Sequence, residues 1–295
     1  MSAETLGEAG PSADAVQAAA GAEGFFRADD GLLVPAPFAT SPWGQVLHGR
    51  LIGGLTARAV EQARAADPGL ACSRLTIDMF RSAAMSPVRV VVRPVRAGRR
   101  IAVIEVTVEQ GDVPVGQGKA LLLRRSEQPP GPFRPAPTWD APVPSELGPP
   151  RSSSTSRWTA PWQSWPAAGP AGSGDPGRPD GPAVAVTGGL WIRDVHPLVT
   201  GEALTPLVRA AMAADLASPV SNYSTHGLSF INADYTLYLG RAPHGEYIGI
   251  QPAWHISEAG VAAGQCVLHD ESGPVGFVAT AAVANQMMGA RPAPA

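Results

Sequence analysis

The sequence predicts an α+β fold in which one unit is used twice: two curved antiparallel sheets, each wrapped around one long central helix. Three observations predict it. The chain repeats itself at a fixed offset: Arg81 falls on Arg241, 160 positions on, and without a gap Pro114-Val115-Gly116 falls on Pro274-Val275-Gly276. Thr76 meets Thr236 and Ala102 meets Ala262 in the same register. Strand-like runs also coincide, Ile101 to Val108 against Val261 to Leu268. Finally, both halves read as a strand, a helix and then further strands. A self-match of this length marks a structural unit rather than a chance motif. Two fused copies pack about a pseudo-twofold axis as two subunits do, so residues near that axis can diverge into different roles.

The expected organisation is a loose tail over 1–22, a first unit over 23–126, a linker rich in Pro, Gly, Ser and Trp over 127–182, a second unit over 183–288 and a tail over 289–295. At 295 residues the chain is long enough for two cores.

In the first unit a strand is expected near Phe25 to Val34. A helix follows, opening at Gly44-Gln45-Val46-Leu47-His48-Gly49 and running to about Ala66. Leu51, Ile52, Leu55, Ala59, Val60 and Ala63 give it one apolar face, and Asp67-Pro68-Gly69 stops it. Gly53-Gly54 inside that helix costs about 1 kcal/mol per Gly relative to Ala, which points to close backbone packing, with a sheet wrapped tightly around it as the setting. Four Val-, Ile- and Thr-rich runs follow: Cys72 to Arg81, Val88 to Arg96, Arg99 to Gln110 and Pro114 to Arg125. Turns at Ala97-Gly98 and Gly111-Asp112 make them an antiparallel meander.

The second unit is expected to open with a strand at Val184 to Val195. A helix spans Ala203 to Ala217, with Pro206 in its first turn, where the missing N–H costs nothing. Strands at Leu228 to Leu239, Glu246 to Trp254, Gly260 to His269 and Gly276 to Ala284 complete it. The linker cannot build a core, yet it holds Trp139, Trp158, Trp162 and Trp165 of the seven tryptophans. The Trp158 to Trp165 segment is therefore expected to dock on a domain or to cap a pocket, without regular structure.

Composition excludes several function classes. With 22 Lys and Arg against 25 Asp and Glu, no nucleic-acid or anionic-membrane partner is implied. No apolar run approaches the ~18 residues of a membrane span. Met1 to Gly21 lacks a basic start and an apolar core, so it does not read as a signal peptide. Cys72 and Cys266 lie in different halves and read as buried reduced thiols. The six histidines show no metal-binding spacing, so no metal or redox cofactor is expected. The expected compartment is the cytoplasm.

The runs Arg74-Leu75-Thr76-Ile77-Asp78 and Gly98-Arg99-Arg100, with Gly116, resemble the amino-terminal half of actinobacterial thioesterase-like proteins. Ile231-Asn232-Ala233-Asp234, Arg241-Ala242-Pro243, Gly260, Asp270 and Gly273-Pro274-Val275-Gly276 resemble their carboxy-terminal half. More distantly the chain is similar to the bacterial type II acyl-CoA thioesterase. The resemblance implies a double hotdog and hydrolysis of an acyl-CoA, or another acyl thioester, to free acid and CoA. It also implies an Asp, a Gln and a Thr or Ser that together hold a water. The Asp falls on Asp234, which strand alternation places on a polar face with Asn232, Thr236 and Tyr238. The Gln place falls at Thr280 or Ala281, where no Gln stands; Gln265 has that chemistry one strand away. The Thr or Ser place falls near Ala253 to Ser257, where Ser257 offers the hydroxyl.

Gly44-Gln45-Val46 matches the start of the family's amino-terminal helix. Unpaired N–H groups there suit a developing oxyanion, with His48 one turn on. Arg74 mirrors Asp234 in the repeat and is either a CoA-phosphate or carboxylate contact, or else an ion pair or a solvated strand end. Glu61 and Asp215 are helix carboxylates expected to make surface or interface pairs. Two alternatives stay open: another thioester-processing enzyme, or a non-catalytic acyl-CoA or lipid binder. Whether the chain is a homo-oligomer is also open.

Overall fold

The computed structural model describes residues 22–136, 138–151, 154–155, 158–167, 188–224 and 227–285. The chain opens with a hairpin of β1 (Phe26–Asp29) and β2 (Leu32–Pro35). Asp30 and Gly31 turn it at φ 44° and 75°, the left-handed pair that a tight hairpin needs. This hairpin is a two-stranded sheet of its own, tied to the residue before the strand at Arg89–Arg96 by reciprocal backbone bonds between Leu33 and Val88 at 2.9 and 3.0 Å.

Next come β3 (Thr40–Ser41), β4 (Gly44–Leu47) and α1 (Gly49–Arg64). The helix therefore begins at Gly49, not at Gly44. Gly44 sits at φ 137°, where only glycine is comfortable, and Leu47 N–H is held by the Ala83 carbonyl at 2.8 Å. Extended pairing claims those residues before the helix can.

The meander follows as β5 (Leu70–Met79), β6 (Arg89–Arg96), β7 (Ile101–Gln110) and β8 (Val113–Arg124). The linker contributes β9 (Ser154–Thr155), β10 (Trp158–Thr159) and β11 (Trp162–Pro166). The second half holds β12 (Leu190–Asp194), α2 (Pro206–Ala214), α3 (Ala217–Asn222), β13 (Tyr223–Ser224), β14 (Gly227–Leu228), β15 (Phe230–Asn232), β16 (Asp234–Leu239), β17 (Tyr247–Glu258), β18 (Val261–Asp270) and β19 (Gly273–Ala284). The strand expected from Val184 begins at Leu190, and residues 184–187 lie outside the described set.

Two further expectations are corrected. The two halves share one main sheet of 11 strands rather than building two, in the order β11-β12-β17-β18-β19-β16-β5-β8-β7-β6, with β15 also on β19. It is continuous because β5 and β16, equivalent strands of the repeat, pair antiparallel through Thr76 and Thr236. The second helix is also not continuous: α2 ends before Asp215, and α3 starts after Leu216. Pro219 explains the break. Its ring would clash with the carbonyl four residues back, at Asp215, and it has no N–H to offer.

Matched close approaches underline the repeat. A Cβ on Gly116 would stand 3.1 Å from the Asp78 carbonyl, and one on Gly276 would strike the Tyr238 carbonyl. Asp78 and Tyr238 are themselves 160 positions apart. Both glycines therefore do the same job in their own half.

The helices lie on one face of the sheet and touch each other. Gly53 packs against the Tyr235 hydroxyl and the Ala211 carbonyl, and Gly54 against Met212. The glycine pair thus allows a close approach of α1 to α2 and, at Gly53, to Tyr235 of β16 in the sheet. Leu51, Leu55, Val60, Ala210, Ala211 and Met212 fill the core between them.

The tryptophan segment has regular structure after all. β11 forms an edge of the sheet, with Trp162 opposite Asp194 and Trp165 opposite Trp191. Trp162 and Trp165 are buried; the Trp158 side chain lies outside the described set. Trp165 donates to the Gly148 carbonyl and Trp191 to the Pro142 carbonyl, each at 3.0 Å, and Trp139 stacks on Trp191. Burying one indole contributes on the order of 2–3 kcal/mol, enough to pin such a segment.

Candidate active site

Strand alternation decides which side chains share a face. Tyr235, Leu237 and Leu239 point to the helices, and the Tyr235 hydroxyl donates to the Ala211 carbonyl at 2.7 Å. Asp234, Thr236 and Tyr238 therefore face the opposite, outer side. There Asp234 lies directly across from Asp78, Thr236 from Thr76, and Tyr238 from Arg74. Asp234 Oδ1 accepts from the Ala281 N–H at 2.6 Å. Partial burial raises the Asp234 pKa, the Ala281 N–H lowers it and the Asp78 carboxylate raises it again; the net is upward. A carboxylate so placed is a better proton acceptor than a solvated one.

Asn232 does not share that face. It donates to Asp215 Oδ1 at 2.9 Å, in the helix layer. Asn232 pairs with Ala282 and Thr236 with Ala279, so one extra residue sits on this side of the ladder. That bulge around Ala233 flips the alternation, which sequence spacing alone could not show. Thr280, one of the two positions for the family Gln, points to the helices and is buried. Its neighbour Ala281 reaches Asp234 with main chain instead.

Arg74 and Asp234, equivalent positions of the repeat, do not meet. Arg74 and Asp234 both flank the β5–β16 seam, but antiparallel pairing about Thr76 and Thr236 sends them to opposite ends, about 13 Å apart along the strands. Asp234 meets a second carboxylate rather than a guanidinium.

At the true start of α1, His48 is the N-cap, its Nδ1 accepting from Arg50 N–H at 3.4 Å. Asp215 Oδ2 lies 3.5 Å from the same Nδ1, and Asp215 Oδ1 would stand 3.2 Å from a Cβ on Gly49. A buried carboxylate thus already occupies the positive helix end, which fits the macrodipole. It also makes that end a poor host for a developing oxyanion, and Gly44, Gln45 and Val46 lie in a strand rather than at the helix start. Beneath, Arg50 is fully buried, 2.7 Å from Asp194 Oδ1 and 4.6 Å from the Trp162 ring centre. The Arg50–Asp194 contact is an ion pair without the alignment of a hydrogen bond. Glu61 accepts from Thr205 at 2.6 Å, an interhelix pair.

Ser257 and Gln265 part company too. Gln265 faces outward and bonds the Trp254 indole. Ser257 Oγ lies 2.9 Å from His255 Nε2, and His255 Nδ1 lies 2.7 Å from Asn222 Oδ1. Sequence reading missed His255 and Asn222. The His-x-Ser spacing on one strand face was visible; the partner 33 residues upstream was not.

Comparisons with known proteins agree with this architecture. Residues 39–123 match the model of the acyl-CoA thioesterase N-terminal domain, and residues 127–283 that of the acyl-CoA thioesterase C-terminal domain. Among solved structures, the chain is similar to the acyl-CoA thioesterase II TesB2 from Mycobacterium marinum, with 16% identity, TM-score 0.57, and 94% of this chain and 100% of that one covered. The tesB protein of Mycobacterium avium subs paratuberculosis gives 15%, 0.56, 92% and 99%. A hot dog fold protein from Alicyclobacillus acidocaldarius gives 16%, 0.60, 97% and 100%. At such identities these likenesses establish the fold: a hotdog, mostly sheet with few helices. No curated protein matches significantly in sequence. The C-terminal domain model alone spans more than half of the chain, and on that match this protein belongs to the acyl-CoA thioesterase family.

Proposed function

We propose that this chain hydrolyses acyl-CoA thioesters to free acid and CoA with Asp234 as general base. One observation carries the assignment of the base. Asp234 is anchored at 2.6 Å by the N–H of Ala281, one of the two positions where the resemblance puts a water-holding Gln. Main chain thus fixes the carboxylate at the place where the resemblance puts a water-holding side chain, and Asp78 across the strand raises its proton affinity.

Asp234 takes a proton from water as the oxygen attacks the thioester carbonyl. The C–S bond then breaks and the thiolate leaves, to be protonated as CoA thiol. Thr76 and Thr236, one residue pair along the same face, continue the polar strip. We further place two repeat units at 23–126 and 183–288, each organised on its own helix and joined by 127–182. The second helix is interrupted at Asp215. A cytoplasmic setting fits the two buried free thiols. Among the described residues no helix is long and apolar enough to cross a membrane.

The test is Asp234→Asn, assayed on short-, medium- and long-chain acyl-CoAs. Turnover should fall roughly 10²-fold or more, the scale of a positioned general base, while calorimetric binding of acyl-CoA is kept. Wild-type hydrolysis untouched by the substitution would place the base elsewhere.

A further inference from the structure

The geometry points to a second reactive centre on the helix side of β17, in which Ser257 is a nucleophile, His255 its base and Asn222 a positioning residue. We propose that Ser257 can be acylated by an activated ester or thioester. Its three groups stand in a line: Ser257 Oγ to His255 Nε2 at 2.9 Å, then His255 Nδ1 to Asn222 Oδ1 at 2.7 Å. The inference goes beyond the water route at Asp234, which lies on the other face of the sheet.

The placement of the Asn222 amide selects one tautomer. Asn222 is buried, and its Nδ2 donates to Ser218 Oγ at 3.2 Å, which turns the amide oxygen toward His255. An amide oxygen can only accept, so Nδ1 carries the proton and Nε2 offers its lone pair to the Ser257 hydroxyl. This is the tautomer that a serine or cysteine nucleophile with a His–Asn or His–Asp pair requires.

Local structure assembles the line for identifiable reasons. Ile248 and Ile250 point inward on β17, and a register shift between Pro252 and Trp254 re-aims the strand. Beyond that bulge, His255 and Ser257 stand opposite Gly264 and Ala262 on the helix side. Bulges are frequent where a strand must redirect a functional side chain. Gly264 has no side chain, and a Cβ there would collide with Ser221 and stand 3.0 Å from Asn222 Oδ1, so its absence lets α3 settle onto the strand. Phe230 flanks the imidazole with ring centres 5.8 Å apart. His255 and Ser257 themselves remain exposed, so an acyl donor can reach them.

The chemistry balances without a cofactor. Ser257 Oγ gives its proton to His255 Nε2 while attacking the acyl carbonyl. The bond from carbonyl carbon to the leaving sulfur or oxygen breaks, and that atom takes the proton from Nε2. Water then attacks the acyl-Ser257 ester, passing a proton to Nε2. The C–Oγ bond breaks, and Oγ recovers that proton. The net reaction is acyl donor plus water to acid plus thiol or alcohol.

The experiment is reaction of the full chain with p-nitrophenyl acetate and with a fluorophosphonate, read by intact mass and peptide mapping. One adduct per chain is expected on Ser257, lost in Ser257→Ala and slowed at least 10²-fold in His255→Gln. Asn222→Ala should slow labelling about tenfold and Asn222→Asp should restore it, with unchanged melting temperatures showing that each variant is folded. Asp234→Asn should leave labelling intact. No adduct on Ser257, or one indifferent to His255→Gln, overturns the proposal. Acyl-CoA turnover that needs Asp234 without labelling of Ser257 would keep the water route and reject this one. Labelling without acyl-CoA turnover would do the reverse.

Discussion

Thr76 and Thr236, aligned by the internal repeat 160 positions apart, lie directly opposite each other in the sheet and share a hydrogen bond of 3.2 Å. A residue facing its own repeat copy across an antiparallel pair marks the point where a twofold axis crosses the sheet. Everything two residues away is then duplicated in place but free to differ in identity. On one side this puts Asp78 against Asp234, and on the other Arg74 against Tyr238.

The carboxylate pair predicts a pH effect. Asp234 must be ionised to accept a proton, so activity is lost as pH falls through its raised pKa. Asp78→Asn removes the like charge that helps to raise it, so the acid limb of kcat/KM should move to lower pH. A pH–rate profile of the two proteins checks this, and superimposable limbs would show that the pair is not coupled.

The glycine contact in α1 predicts a sign. Gly→Ala in an ordinary helix interior stabilises by about 1 kcal/mol. Gly53→Ala should instead lower the melting temperature, because the new Cβ meets the Tyr235 hydroxyl and stands 3.1 Å from the Ala211 carbonyl. Overpacking of this kind costs about 1–3 kcal/mol. Adding Tyr235→Phe should recover part of the loss, and a gain in stability from Gly53→Ala alone would mean that the helices are not in contact there.

Arg50 predicts a non-additive pair. Arg50→Met leaves Asp194 charged among buried neighbours and should cost about 3–5 kcal/mol in denaturant unfolding. Arg50→Met with Asp194→Leu removes both charges and should be markedly less damaging than the single change. Additive losses would show that the ion pair carries no coupling.

His269 predicts acid sensitivity. Burial pushes its pKa down to about 4, with Asp270 opposing and Arg241 assisting; Nε2 bonds Gln251 at 2.9 Å. The folded form therefore binds its proton less readily than the unfolded chain, whose His titrates near 6.5. Its contribution is full above about pH 6.5 and is lost as pH falls toward 4. Melting temperature should drop across that window, and His269→Gln should flatten the drop.

Local chemistry alone determined the repeat, the meander β5–β8 and the later strands β17–β19. Their β-rich runs and their Gly- and Asp-bearing turns act within a few residues, and the 160-residue register is a property of the string. Asp234 facing away from the helices was legible for the same reason. Tertiary structure decided the rest. Whether the two sheets fuse depends on β5 meeting β16, and the face taken by Asn232 depends on a bulge set by β19. Pro219 is a local cause of the break in the second helix that the expected helix over Ala203 to Ala217 did not use, and what Asp215 then does depends on α1 starting at Gly49 beside it. Likewise Ser257, His255 and Asn222 meet only because Gly264, on a third element, leaves room for α3. Strand periodicity is a short-range property, whereas the partner of a side chain across a sheet or from a helix is a long-range one.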